Sequence, residues 1–303
     1  MGLNEGKNED GNEQNDGGDN TIQRIKDLKT LLDGFYADYD FSLRIPNDPI
    51  EFPHRYCDPQ DVETAAFIAA SFAYGKVTLF KPVIDGILGA MGLHPAAFLH
   101  KFDVERDGAL FDGLSYRFNK SDDIKAFLLT LHAVLAEKGS LKSAFVGHFD
   151  GEVSNMIAGF MAYAGTVDVS AVYGKNLHPE GLRQLFTSPE KGSACKRVNM
   201  FLRWMVRNDA PDFGLWPEVP RSALIIPLDT HIARICRCLG LTKRKSNDWK
   251  TAIEITEGLK VLDPDDPLKY DFALCHHGIS GACKASPETG LCADCAINPG
   301  TVT

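Results

Sequence analysis
Between Thr21 and Tyr39, Ile22, Ile25, Leu28, Leu31 and Leu32 recur at three- and four-residue steps, the spacing that buries one face of a helix. Pro46, Pro49, Pro53 and Pro59 break that pattern, so 44–59 reads as a linker. Asp61 is placed to cap the next helix, in which Val62, Ala65, Ala66, Ile68, Ala69 and Phe72 form a dense apolar face that stops at Tyr74-Gly75-Lys76. Similar patterns predict helices over Leu79 to Met91, Asp122 to Leu135, Gly151 to Tyr163, Cys195 to Arg207, Thr230 to Leu239 and Asp248 to Leu262. Sustained two-residue alternation is nearly absent, although Ala223 to Ile226 reads as a short extended run. The expected class is all-α.

Composition narrows what such a bundle can be. A chain of 303 residues with 44% hydrophobic content can bury one large core or two smaller ones. Its apolar runs fall well short of the ~20 residues a membrane span needs. The opening stretch MGLNEGKNEDGNEQNDGGDN lacks the basic start and apolar run of a secretory signal. A cytoplasmic protein with no membrane partner is expected. Residues 1–20 set six acidic side chains against Lys7 alone, more than half of the formal net charge of −9, and read as a disordered acidic tail. That balance argues against coating nucleic acid through bulk charge but leaves room for a local basic groove. Without a secretory signal, the eight cysteines are expected as free thiols or metal ligands rather than disulfides.

The most specific chemistry lies in Ser222 to Leu241, SALIIPLDTHIARICRCLGL. An apolar approach and a proline lead to Asp229 at a helix start, and Ile232, Ile235, Cys236 and Leu239 then share one helical face. This segment resembles the helix-hairpin-helix DNA glycosylases, whose catalytic aspartate lies in a similar Leu-Asp-Thr-His context. The likeness extends to KGSACKRVNMFLRWMVRNDAPDFGLW and, more weakly, to Asp61–Lys76 and Tyr116-Arg117-Phe118. It implies two helical subdomains with a cleft between them, 60–228 being inserted between 21–59 and 229–303. It also implies double-stranded DNA as partner and hydrolysis of the N-glycosidic bond of a damaged base. Asp229 would stabilise the cation that develops on the sugar. An aspartate there also serves as an ordinary N-cap, and the two roles are compatible.

Further site residues follow from the same resemblance. Gly192 and Ser193 would form the hairpin that meets the DNA backbone. Lys196, Asn199, Arg203 and Arg207 fall opposite the apolar positions of their helix, so a basic stripe is expected to face phosphate. The family hairpin reads Gly-x-Gly, with a lysine two residues after the second glycine in members that also cleave the strand. Taking Gly192 as that glycine puts Ala194 at the position, with Lys191 and Lys196 nearby, which favours a monofunctional hydrolase and leaves Lys196 a secondary catalytic candidate. Tyr74, Trp204, Phe213 and Trp216 are candidates for the base pocket or wedge.

Cys275, Cys283, Cys292 and Cys295 lie within twenty-one residues, a ligand-like spacing. It approximates the C-terminal iron–sulfur loop of endonuclease III-like members but departs from it in one gap and lacks the last cysteine. A four-iron, four-sulfur cluster, structural zinc and free thiols are all open. Two other readings stand beside the glycosylase: a non-catalytic DNA-binding module on the same scaffold, and a metal-stabilised helical protein unrelated to nucleic acid.

Overall fold
A computed structural model describes residues 16–174 (backbone only for 16–20), 180–283, 292 and 295–298. Every regular element among them is a helix, and extended pairing is confined to two isolated bridges, Tyr116 with Asn119 and Ser193 with Asp248. The chain runs through α1 (Asp16–Ala37), α2 (Pro59–Phe72), α3 (Val77–Met91), α4 (Pro95–His100), α5 (Val104–Asp107), α6 (Ser121–Lys138), α7 (Leu141–Val146), α8 (Val153–Ala164), α9 (Ser170–Tyr173), α10 (Glu180–Leu185), α11 (Lys196–Val206), α12 (Thr230–Cys238), α13 (Trp249–Leu262) and α14 (Asp271–Ile279). None of the described helices is long and apolar enough to cross a membrane.

The apolar density of α2 has a simple outcome: every residue from Asp61 to Phe72 is buried. A helix apolar on all sides belongs inside a bundle, and α2 packs against α3, α4, α7 and α11. Phe67 lies at the centre, edge-on to Phe145, Phe160 and Phe201, while Trp216 closes the cluster against Phe145 and Phe201. Away from this core, α12 packs on α14 and α1 on α13. The N-terminal ends of α11 and α12, one face of α14 and the α2–α3 connection thereby meet around a single cavity.

Several expectations are corrected. The first helix starts at Asp16, so 16–20 are helical rather than tail; residues 1–15 lie outside the described set. The cap of α2 is Asp58, which accepts from the Gln60 and Asp61 amides. Asp61 instead reaches across to accept from the Ala96 amide at 2.9 Å, tying α4 to α2. The stretch 223–226 pairs with no strand; the Ile226 amide is satisfied by the Thr256 hydroxyl at 3.1 Å. The largest correction concerns α11. Asn199, Arg203 and Arg207 do not face phosphate: all three are buried, the two arginines at 3% and 1% exposure. The side of α11 away from α2 meets the C-terminal part of the chain, whose carboxylates take both guanidinium groups. Arg203 bonds Asp212 and Asp271, and Arg207 bonds Asp212 and Asp266.

Candidate active site
Asp229 is the N-cap of α12. Its extended backbone follows Pro227, and its Oδ1 accepts from the His231 and Ile232 amides, each at 2.9 Å. The second oxygen is therefore free for other work, and Oδ2 meets the Lys196 ammonium at 2.9 Å. Lys196 is the first residue of α11, which has no side-chain cap. The turn before it is held by Gly192 in the left-handed region (φ 76), whose carbonyl accepts from the Trp249 amide at 3.2 Å. The Ser193 hydroxyl accepts from the Cys195 amide at 3.2 Å. Two helix starts far apart in sequence are thus anchored so that a carboxylate and an amine touch.

Burial works against charge on Asp229, but the Lys196 ammonium, the Ile232 amide and His231 outweigh it and hold the carboxyl below its usual value. Burial likewise opposes charge on Lys196, and the neighbouring Asp229 carboxylate raises it above its usual value. The pair is ionised at neutral pH. Cys275 on α14 places Sγ 4.0 Å from Asp229 Oδ2; burial and then the Asp229 charge push its thiol well up, so it faces the carboxylate as a neutral S–H.

These groups line a cavity of about 330 Å³ walled by Phe80, Met200, Trp204 and Phe272, with Asp48, Asp271 and His276 as further polar members. That volume suits a small-molecule or nucleobase site. His276 Nδ1 lies 3.0 Å from the Phe272 carbonyl and Nε2 3.3 Å from Asp48 Oδ2. A more open trough of about 590 Å³ adjoins it, lined by Tyr74, Ser193, Ala194, Cys195 and Arg197, and shares Ala73, Gly75, Lys196, Asp229 and His231 with the first. The Lys196–Asp229 pair sits where the pocket meets the more open trough.

Of the residues singled out by sequence, Asp229, Lys196, Trp204, Cys275 and the ion-paired Arg203 line the pocket, Ser193 and Tyr74 line the trough, and Gly192 and Arg207 line neither. Trp216 is core: it is fully buried and its Nε1 donates to Glu63 at 2.9 Å. Phe213 packs on His54, with ring centroids 4.5 Å apart, outside both cavities. Tyr74 is not a free wedge, since its hydroxyl donates to Asn119 Oδ1 at 2.6 Å. Cys275 leaves the cysteine group altogether, because α14 turns it into the pocket. Among the described residues no group of three or more His, Cys, Asp or Glu is arranged to hold a metal ion. Cys295 Sγ lies 3.4 Å from His277 Nε2. Burial, and then the proximity of Cys283, Cys292 and Cys295, raises the thiol of Cys238.

Asp48 and Asp271 carry no local signal in the sequence: Asp48 comes from the proline-rich linker, and Asp271 lies with His276 on a helix, α14, outside those the periodicity predicts. Searches of curated proteins and of solved structures find no match. Residues 48–280, which span every cavity residue named above, match the family described as protein of unknown function (DUF2400), and the chain belongs to that family.

Proposed function
We propose that this protein is a DNA base-excision glycosylase of the helix-hairpin-helix type, built as two helical subdomains, 60–228 inserted between 21–59 and 229–303, with the pocket in the cleft between them. The observation that carries the reading is the contact of Lys196 with Asp229 at 2.9 Å, at the junction of the pocket and the more open trough. An everted base fills the pocket while its deoxyribose lies at the junction and the strand follows the trough. The uncapped start of α11 offers backbone amides to a phosphate. As the C1′–N bond breaks, its electron pair leaves on the base, which takes up a proton. The Asp229 carboxylate offsets the positive charge left on the sugar, and water adds to C1′ and releases a proton.

The position of Lys196 favours a second course for the same intermediate. The ammonium hands its proton to the departing base, and the freed lone pair bonds to C1′. Opening of the sugar ring then gives an imine.

Duplexes that each carry one modified base, incubated with wild type and Asp229→Asn, test the reading. Wild type releases a base from at least one duplex, and Asp229→Asn is slower by about 100-fold or more while still binding it. Borohydride trapping of a covalent adduct that is lost in Lys196→Gln indicates the imine course; base release without an adduct indicates hydrolysis. Unchanged activity in Asp229→Asn, or a wild type that neither acts on nor binds any duplex at low salt, overturns the proposal.

A further inference from the structure
Beside the mouth of the pocket a four-residue turn presents an aromatic ring to solvent. Tyr116 and Asn119 exchange backbone hydrogen bonds of 2.7 and 2.8 Å. Between them Arg117 adopts φ 50, which few residues other than glycine tolerate. The turn is braced from below. Asn119 is fully buried, donates from Nδ2 to the Gly181 carbonyl at 2.7 Å and accepts from the Tyr74 hydroxyl. The Tyr116 hydroxyl donates back to the Tyr74 carbonyl, and the two rings lie 4.7 Å apart. At its tip Phe118 is 64% exposed and Arg117 is also exposed. The turn abuts Gly75, where a Cβ would come within 2.7 Å of the Tyr116 hydroxyl and 2.8 Å of the Arg117 guanidinium. Gly75 lines both the pocket and the trough.

Isolated exposed apolar side chains are common on protein surfaces. Phe118 differs in being carried on a strained, doubly braced turn against the cavity rim, a setting in which backbone strain persists only because its surroundings enforce it. Tyr74 is what fixes the turn in place.

We infer that the Arg117–Phe118 tip is the wedge that enters duplex DNA when a nucleotide is everted, with the Phe118 ring stacking in the gap and Arg117 facing the flanking phosphate. The inference rests on the glycosylase reading and adds a residue to it. Planar rings stack on bases irrespective of sequence, and a rigid tip loses little conformational freedom on insertion.

The test uses a duplex containing a tetrahydrofuran abasic analogue with 2-aminopurine opposite it. Wild type binds it and raises the 2-aminopurine emission as the ring displaces the fluorophore from the stack. Phe118→Ala binds about 10-fold more weakly and loses most of the emission rise, whereas Phe118→Trp retains both; the exposed position leaves the thermal unfolding of either variant unchanged. Equal affinity and emission for Phe118→Ala and wild type overturn the wedge alone. A wild type that binds no duplex overturns the glycosylase reading together with it.

Discussion
The two oxygens of Asp229 have different tasks: Oδ1 takes two amides of α12 and Oδ2 takes the ammonium of Lys196. Asn retains the capping geometry, so Asp229→Asn separates chemistry from folding. The pair also fixes a pH dependence. Because Asp229 titrates below its usual value, its charge and the stability it contributes are full above about pH 4 and are lost as pH falls through the lowered value. Because Lys196 titrates above its usual value, its contribution is full below about pH 10 and is lost as pH rises through the raised value. Base release is accordingly expected to be flat from about pH 5 to 9. A limb inside that window would move the chemistry to another titrating group and contradict the assignment. Asp229 was legible because its local context is unusual. The partner of its second oxygen was not, because Lys196 lies thirty-three residues earlier, on another helix.

At the scale of elements, α11 shows why a charged stripe is ambiguous. Lys196, Asn199, Arg203 and Arg207 do share a side of the helix, yet only Lys196, at its first position, reaches the cavities with its charge partly exposed. Farther along, the same side is covered, and Asp212, Asp266 and Asp271 compensate the guanidinium groups. Burial penalises Asp212 first, and Arg203 and Arg207 only partly restore its tendency to ionise. Removing Arg207 strips Asp212 of one of its two cations and leaves the buried Asp266 with Arg221 alone, at 3.7 Å. Arg207→Ala is therefore expected to lose about 3–5 kcal/mol of stability, read from the urea midpoint at unchanged slope. A loss below about 1 kcal/mol, the range of exposed pairs, would show that the network is not closed to water. Periodicity gave the helices closely, α13 as Trp249–Leu262 against an expected Asp248 to Leu262. It missed the short helices α4, α5, α7, α9 and α10, and also α14, which contributes Asp271, Phe272, Cys275 and His276 to the pocket.

For the whole molecule, burial of Arg203 and Arg207 changes the electrostatics of any nucleic-acid complex. Besides the buried Arg203, the cations at the cavities are Lys76 and Lys196, Arg197 in the trough and Arg117 beside Gly75, none of these four fully buried, in a chain of net charge −9. Four phosphate contacts correspond to a slope of about −3 to −4 in log affinity against log salt. A titration of duplex binding across salt concentration measures it, and a slope beyond about −6 would require basic surface elsewhere. The sequence alone determined the helical class, most helix positions, the capping aspartate and its candidacy as the catalytic group, since each is written in residues within a few turns of one another. Only the tertiary structure decided which charges are buried and which meet the cavity, that Cys275 belongs to the pocket rather than to the cysteine group, and that Lys196 touches Asp229. Those outcomes depend on which helix faces pack together, and a pattern confined to one helix carries no information about what covers it.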